Sequence, residues 1–304
     1  MATRLLPALL STGLFLSRGQ VAPVFTRALS TPTLTLNAVP YGAIIEHCTV
    51  PGVVALTFDD GPYVYTSHIL DLLDQYSAKA TFFINGDNWS KDVDNPSEPW
   101  PGLLMRMVSS GHQIGSHTWS HADLTFVSSD TRQYQVRELE RVLGNVLGKV
   151  PTYLRPPYGS CSSGCLDEME RMGYHVVNFD VDTKDYLHNQ PGDIEFSKQT
   201  FSAALDAGGQ GGSFLVLCHD VLQQTAEVLV PYMLETIRQR GYRAVTVGDC
   251  LGDPAGKWYR PSSNATLSLA ASWNQTTSDA TTRRHDERRE NRRLGPYWSP
   301  SGSA

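Results

Sequence analysis

Two adjacent carboxylates, Asp59 and Asp60, close the apolar run Val53-Val54-Ala55-Leu56-Thr57-Phe58 and are followed by Gly61-Pro62. Along a strand, neighbouring side chains point to opposite faces. At a strand end that breaks into a turn, both carboxylates can swing toward one site. One can then hold a cation while the other, close to that cation, works as a base. Taken alone, Asp-Asp-Gly is also common turn chemistry. Further on stands His117-Thr118-Trp119-Ser120-His121. Histidines at i and i+4 are expected on one face of a helical turn. Imidazole suits zinc and similar divalent ions, and one carboxylate completes three protein ligands with positions left open for water and substrate.

Three more stretches carry reactive groups. In Arg155-Pro156-Pro157-Tyr158-Gly159 the prolines stiffen the backbone and remove two donors, so the next backbone N–H belongs to Tyr158. A rigid N–H of that kind suits a developing oxyanion; the plainer alternative is a stiff loop. Asp180, Asp182 and Asp185 lie in one short segment, and one of them is expected to pair with Arg155 and orient its neighbours. The residues alone do not choose among the three. His219 ends the run Ser213-Phe214-Leu215-Val216-Leu217-Cys218, where an imidazole can give a proton to a leaving group.

These groups need a scaffold that brings them together. Strand-like runs occur at residues 53–58, 80–85, 112–116, 152–155, 174–180, 213–219 and 242–247. Helical patterns separate them, at residues 66–76, 102–108, 130–147, 166–172, 193–207 and 226–240. Strands alternating with helices predict an α/β fold with a parallel sheet, either an open doubly wound sheet or a barrel. About seven parallel strands favour a distorted, incomplete (β/α) barrel. In both architectures ligands bind at the C-terminal ends of the strands, which is where every reactive group above falls.

The chain has 304 residues and a net charge of −6. Residues 1–45 carry three arginines and no acid, residues 261–304 carry six arginines and four acids, and residues 46–260 therefore hold −11. So acidic a body argues against nucleic acid as partner. Arg4 precedes an apolar run from Leu5 to Leu16, which predicts a secretory signal peptide over residues 1–19; the run is too short for a membrane span. A mitochondrial presequence is the competing reading. The sequons at Asn88, Asn264 and Asn274 favour secretion to the extracellular space or cell wall.

Five cysteines in a secreted chain predict pairs plus one free thiol. Cys48 and Cys250 bracket the apolar part of the chain, where a bridge would tie its two ends; Cys161 and Cys165 are close enough for a local bridge. Cys218, inside an apolar run, is expected to be a buried free thiol. Residues 40–255 thus read as one catalytic domain. Residues 261–304, rich in Ser/Thr and then Arg, read as a disordered tail.

Together the segments resemble the polysaccharide deacetylase family (carbohydrate esterase family 4). Five motifs recur in the family's order: Thr57-Phe58-Asp59-Asp60-Gly61, His117-Thr118-Trp119-Ser120-His121, Arg155-Pro156-Pro157-Tyr158, Asp182-Thr183-Lys184-Asp185-Tyr186 and Leu215-Val216-Leu217-Cys218-His219. The resemblance covers residues 45–252 and implies a metal-dependent hydrolase on a barrel with fewer than eight strands. It implies Asp59 as general base, Asp60, His117 and His121 as metal ligands, the Tyr158 N–H as oxyanion donor and His219 as general acid. Arg155 and Asp185 would form a supporting pair, and Leu217 would line the acetyl pocket. Tyr186 stands where many relatives carry Trp. The stretch from Ala80 to Trp89 and the cysteine positions look like the fungal chitin deacetylases. The implied cofactor is a divalent metal, zinc or in its place cobalt. The implied partner is chitin or a chitin oligosaccharide, with no nucleic acid, no membrane and a monomeric chain. The implied product is chitosan with release of acetate, the alternatives being O-deacetylation of xylan and a non-catalytic chitin-binding role.

Overall fold

The computed structural model describes residues 38–209 and 211–262. The segment at 1–19, the sequons at Asn264 and Asn274 and the tail beyond 262 lie outside them. The strands in chain order are β1 (Ile44–Ile45), β2 (Val53–Asp59), β3 (Thr81–Ile84), β4 (Gln113–Ser116), β5 (Lys149–Pro151), β6 (Tyr153–Leu154), β7 (His175–Val177), β8 (Val181–Asp182), β9 (Phe214–His219), β10 (Arg243–Val245) and β11 (Tyr259–Pro261). The α-helices are α1 (Thr66–Gln75), α2 (Trp100–Ser109), α3 (Ser129–Leu147), α4 (Ser163–Arg171), α5 (Ile194–Gly208), α6 (Val230–Gln239) and α7 (Val247–Cys250).

Strand β2 is the centre of this arrangement because its sequence can be buried on both faces, and all seven of its residues are buried. Parallel strands run β1-β7-β6-β4-β3-β2-β9-β8, and β10 pairs with the start of β2. Alternation divides the sheet into an outside and an inside. Val54, Leu56, Phe58, Phe82, Ile84, Val216 and Cys218 pack outward with side chains from α1, α2, α3, α5 and α6. Val53, Ala55, Phe83, Tyr153, Val177, Leu215 and Val245 meet on the inner face. Strands from both halves of the sheet share that inner cluster, so the sheet curls into a distorted, incomplete (β/α) barrel. Its edge strands β1 and β8 do not pair with each other.

One expected strand ends early. Residues 174–180 form β7 and then break, and β8 begins at Val181. β7 lies between β1 and β6, whereas β8 pairs with β9 at the far edge. The break falls at Asn178-Phe179-Asp180, where burial gives way to half-buried and exposed positions, and Asp180 turns back to accept from Leu215 N. A second sheet, the antiparallel pair β5–β11, carries the fold to Pro261. Two disulfides join Cys48 to Cys250 and Cys161 to Cys165, and Cys218 is free and buried.

Candidate active site

The inner alternation of β2 and β9 changes from apolar to polar toward the C-terminal ends. Asp59 pairs in register with His219 and Thr57 with Leu217. All four side chains therefore share one face, above the apolar layer of Val53, Ala55 and Leu215. A cleft of about 400 Å3 opens there, lined by Asp59, Asp60, His117, His121, Arg155, Tyr158, Tyr186, Leu217 and His219. Asp185 is fully buried behind it.

Asp60, His117 and His121 converge so that one ligand atom from each lies within 4.8 Å of the others. Asp60 Oδ1 is buried and accepts no hydrogen bond, with His117 Nε2 at 3.5 Å and His121 Nε2 at 3.3 Å. An orphaned carboxylate oxygen facing two imidazole nitrogens is the donor set a divalent cation takes, so the residues fit one. The His117 tautomer is fixed. Its Nδ1 donates to the Arg155 carbonyl at 2.8 Å, which leaves Nε2 with its lone pair toward the ligand cluster. Burial, and then the neighbouring His117, lower the pKa of His121, keeping it neutral as a metal ligand must be.

The two histidines do not sit on a helical turn. Residues 117–121 form a loop in which Thr118 (φ 71°) and His121 (φ 58°) adopt left-handed backbone. Asp60 (φ 78°) and Tyr158 (φ 59°) do the same. Non-glycine residues in that region are strained unless their surroundings hold them. Here the surroundings are polar clamps. Asn85, at the end of β3, donates through Nδ2 to the carbonyls of His117 and Thr118. Gly86 N and Asp87 N both bond to Trp119 O. Gln135 of α3 accepts from Ser120 N at 2.8 Å and donates to Ser120 Oγ at 2.7 Å. Gln135 was legible as a polar residue on the buried face of α3, and Asn85 as another polar strand end.

Arg155 is 1% exposed. Its Nη1 donates to Asp59 Oδ1 at 2.9 Å and to Thr57 Oγ1 at 2.5 Å. Nη2 donates to Asn178 O and Nε to Val177 O. The expected Arg155–Asp185 pair is therefore not formed. Arg155 reaches across the barrel to β2 and to the end of β7, while Asp185, beyond β8, lies beside β9. Asp185 instead accepts from His219 Nδ1 at 2.8 Å, His219 N at 2.8 Å, Thr225 Oγ1 at 2.8 Å and Tyr186 N at 2.9 Å. Thr225 opens a π-helical turn, Thr225–Leu229, before α6. Burial alone would lower His219, but the charge and hydrogen bond of Asp185, with Asp59 and Asp60 behind them, raise its pKa to about 9.

Tyr158 is 73% exposed at the rim, its ring 4.7 Å from that of His121. Tyr186 OH donates to Asp182 Oδ2, and its ring lies 5.4 Å from the His219 imidazole. Asp182 thus supports Tyr186, and Asp180 accepts from Leu215 N. Asp220 follows His219 and is wholly buried; one oxygen accepts from Thr66 Oγ1, the other has no partner, and burial raises its pKa to about 7. Gly61 is required opposite it, since a Cβ there would come within 2.2 Å of Asp220 Oδ2. Asn88 is half-buried, and its Nδ2 donates to Asn85 Oδ1 at 3.1 Å.

Comparison with known proteins agrees with this architecture. Residues 46–177 match the polysaccharide deacetylase family model. A chitin deacetylase of Colletotrichum lindemuthianum is 43% identical over 227 residues, 75% of this chain and 90% of that protein. One from a Pestalotiopsis species is 46% identical over 224 residues, 74% of this chain and 72% of that protein. The solved structure of the Colletotrichum enzyme superimposes with a TM-score of 0.70, covering 73% of this chain and 97% of that one. The chain belongs to the polysaccharide deacetylase family and is a deacetylase, a hydrolase similar to the fungal chitin deacetylases.

Proposed function

We propose that the protein removes N-acetyl groups from N-acetylglucosamine residues of chitin or chitin oligomers, yielding chitosan and acetate. The observation that carries this reading is the register of Asp59 against His219 across a cleft that also holds the Asp60–His117–His121 cluster. A base and a protonated donor then flank one reacting carbon. When bound to that cluster, a divalent cation supplies Lewis acidity to the acyl oxygen and acidity to water; the histidine-rich donor set points to zinc, with cobalt as a substitute.

Asp59 takes the proton of the attacking water through Oδ2, because Oδ1 is engaged by Arg155. The Tyr158 N–H donates to the oxyanion as it forms, a contribution of about 3 kcal/mol for such a donor. His219, protonated and held by Asp185, delivers its proton to the leaving nitrogen. Leu217 receives the acetyl methyl, and Tyr186 flanks the sugar. Arg155 orients Asp59, and Asp185 orients His219, as two separate positioning pairs. Two disulfides support an oxidising destination and hence secretion, with residues 1–19 as signal peptide, residues 40–255 as the catalytic domain and the segment from 261 as a tail. Glycans on Asn88, Asn264 or Asn274 and a monomeric state belong to the same proposal.

The test is acetate release from defined N-acetylglucosamine oligomers and from acetylated xylan, with chelator and with zinc restored. Zinc-dependent release from the oligomers is expected. Release from xylan alone would make it an O-acetyl esterase, and chitin binding without any release would leave a binding protein.

A further inference from the structure

Large apolar side chains are exposed at ten described positions, and several of them gather beside the cleft. Leu187 is 64% exposed and directly follows Tyr186, which lines the cleft. Phe196, 48% exposed, lies in the first turn of α5, and its ring stands 4.4 Å from that of His188. Phe196 packs on His188, the residue after Leu187, so Leu187 and Phe196 stand on the β8 side as two exposed apolar groups of one ledge. Across the cleft Phe126 is 85% exposed, the highest value among the ten. Its neighbour Thr125 shares a 2.8 Å hydrogen bond with Ser160, two residues beyond Tyr158. The backbone at Phe126, whose N–H also bonds to Asp123 O, is thereby held beside the β6 rim. Leu187, Phe196 and Phe126 do not line the cleft. Single exposed apolar residues need no explanation, but groups flanking a binding cleft on two sides mark an interaction surface.

We propose that the Leu187–Phe196 ledge and Phe126 dock on the chains that neighbour the substrate chain in a packed, insoluble polysaccharide. The inference rests on the deacetylase reading above and extends it to the physical form of the substrate. The occupant follows from continuity with the cleft: the ledge begins one residue after Tyr186, and Phe126 is tied to the loop of Tyr158. Pyranose rings present C–H faces that pack on aliphatic and aromatic side chains, and a packed polymer offers several such faces at once. An uncharged polymer gives the acidic body no charge to attract, so exposed apolar side chains matched to pyranose C–H faces add to whatever hydrogen bonds its hydroxyl and amide groups make. Weak contacts on both sides of the cleft raise the local concentration of acceptor chains without touching the reacting sugar.

The experiment compares the zinc-loaded full chain with Phe126→Ser and with the Leu187→Ser/Phe196→Ser double variant. Three quantities are read: adsorption to insoluble chitin, acetate release from it, and kcat/KM on the soluble N-acetylglucosamine pentamer. Adsorption and release from the solid should fall about fivefold or more, with the pentamer changed less than about twofold. Unchanged adsorption overturns the proposal. A parallel fall on the pentamer also overturns it, since the residues would then belong to the reacting chain's own subsite. A wild type that releases no acetate from the pentamer would instead sink the deacetylase reading, while the adsorption comparison still decides the docking surface.

Discussion

On the β2–β4–β6 side of the cleft, Asp59 is paired with a guanidinium that stays protonated at any working pH; on the β8–β9 side, Asp185 is paired with an imidazole that titrates. Both carboxylates are buried and both are charged-pair partners, yet they serve opposite ends. Arg155 occupies one oxygen of Asp59 and leaves the other toward the cleft. Asp185 accepts four hydrogen bonds, one from His219 Nδ1 that favours the protonated imidazole and three that hold the carboxylate in place. The permanent charge fixes a geometry, and the titrating partner fixes a protonation state.

The largest effect tests whether metal and base are separate on the first side. Asp60→Ala should lose zinc in a competition assay and fall to background activity. Asp59→Ala should keep zinc and lose about 10²–10⁴-fold in kcat. Loss of zinc from both variants would merge the two roles. Arg155→Met comes next: it leaves Asp59 buried without a partner, and urea unfolding should show a loss of about 3–5 kcal/mol. A stable Arg155→Met protein would mean the guanidinium does not hold that wall.

On the second side, Asp185→Asn should shift a pH profile. His219 donates only while protonated, and Asp185 holds its pKa above the ordinary histidine value, so wild-type activity should decline only on the alkaline side of neutrality. Without the Asp185 charge, burial dominates and the decline should begin below the ordinary histidine value, with about 10²-fold less activity at pH 8. The same group enters stability. A pKa raised above its unfolded value contributes stability that is full below about 6.5 and is lost as pH rises toward 9. Thermal melts of metal-free protein should therefore drop across that window in the wild type and stay flat in Asp185→Asn. A bound cation offsets the help from Asp59 and Asp60, so the metal-free form is the one to melt.

The smallest effect concerns the third buried acid, Asp220, which lacks the partners of the other two. Its pKa is raised from 3.8 to about 7, so its contribution to stability is present below 3.8 and gone above 7. Asp220→Asn should raise Tm at pH 8, by about 1 kcal/mol in stability, and the gain should vanish as pH approaches 4. A gain that persists in acid would mean that charge burial is not its cause.

Most of the site is legible in the sequence because strand-end chemistry follows from alternation. Val53, Ala55, Thr57 and Asp59 form one row, and apolar gives way to polar along it toward the cleft. The histidine spacing signalled proximity, but through the wrong geometry: a left-handed loop held by Asn85 and Gln135 does what a helical turn was expected to do. The partner of Arg155 was open among three aspartates and proved to be Asp59, which none of those three is. Thr225 carried no signal, because a lone threonine within a helical pattern has nothing to mark it.

The amino-acid sequence by itself determined where the central strands fall, which of their side chains face inward, and which chemistry stands at their ends, but not the short strands β1, β5, β8 and β11. Those properties depend on local periodicity and residue type. The tertiary structure alone decided the pairings. Asp59 and His219 meet because β2 and β9 are neighbours in register, although 160 positions separate them. The strand expected over residues 174–180 stops at Val177 because the chain leaves β7, between β1 and β6, to form β8 beside β9 at the far edge. Hydrogen-bond partners, tautomers and shifted pKa values follow from that strand order, and strand order is a property of the closed sheet, not of any one segment within it.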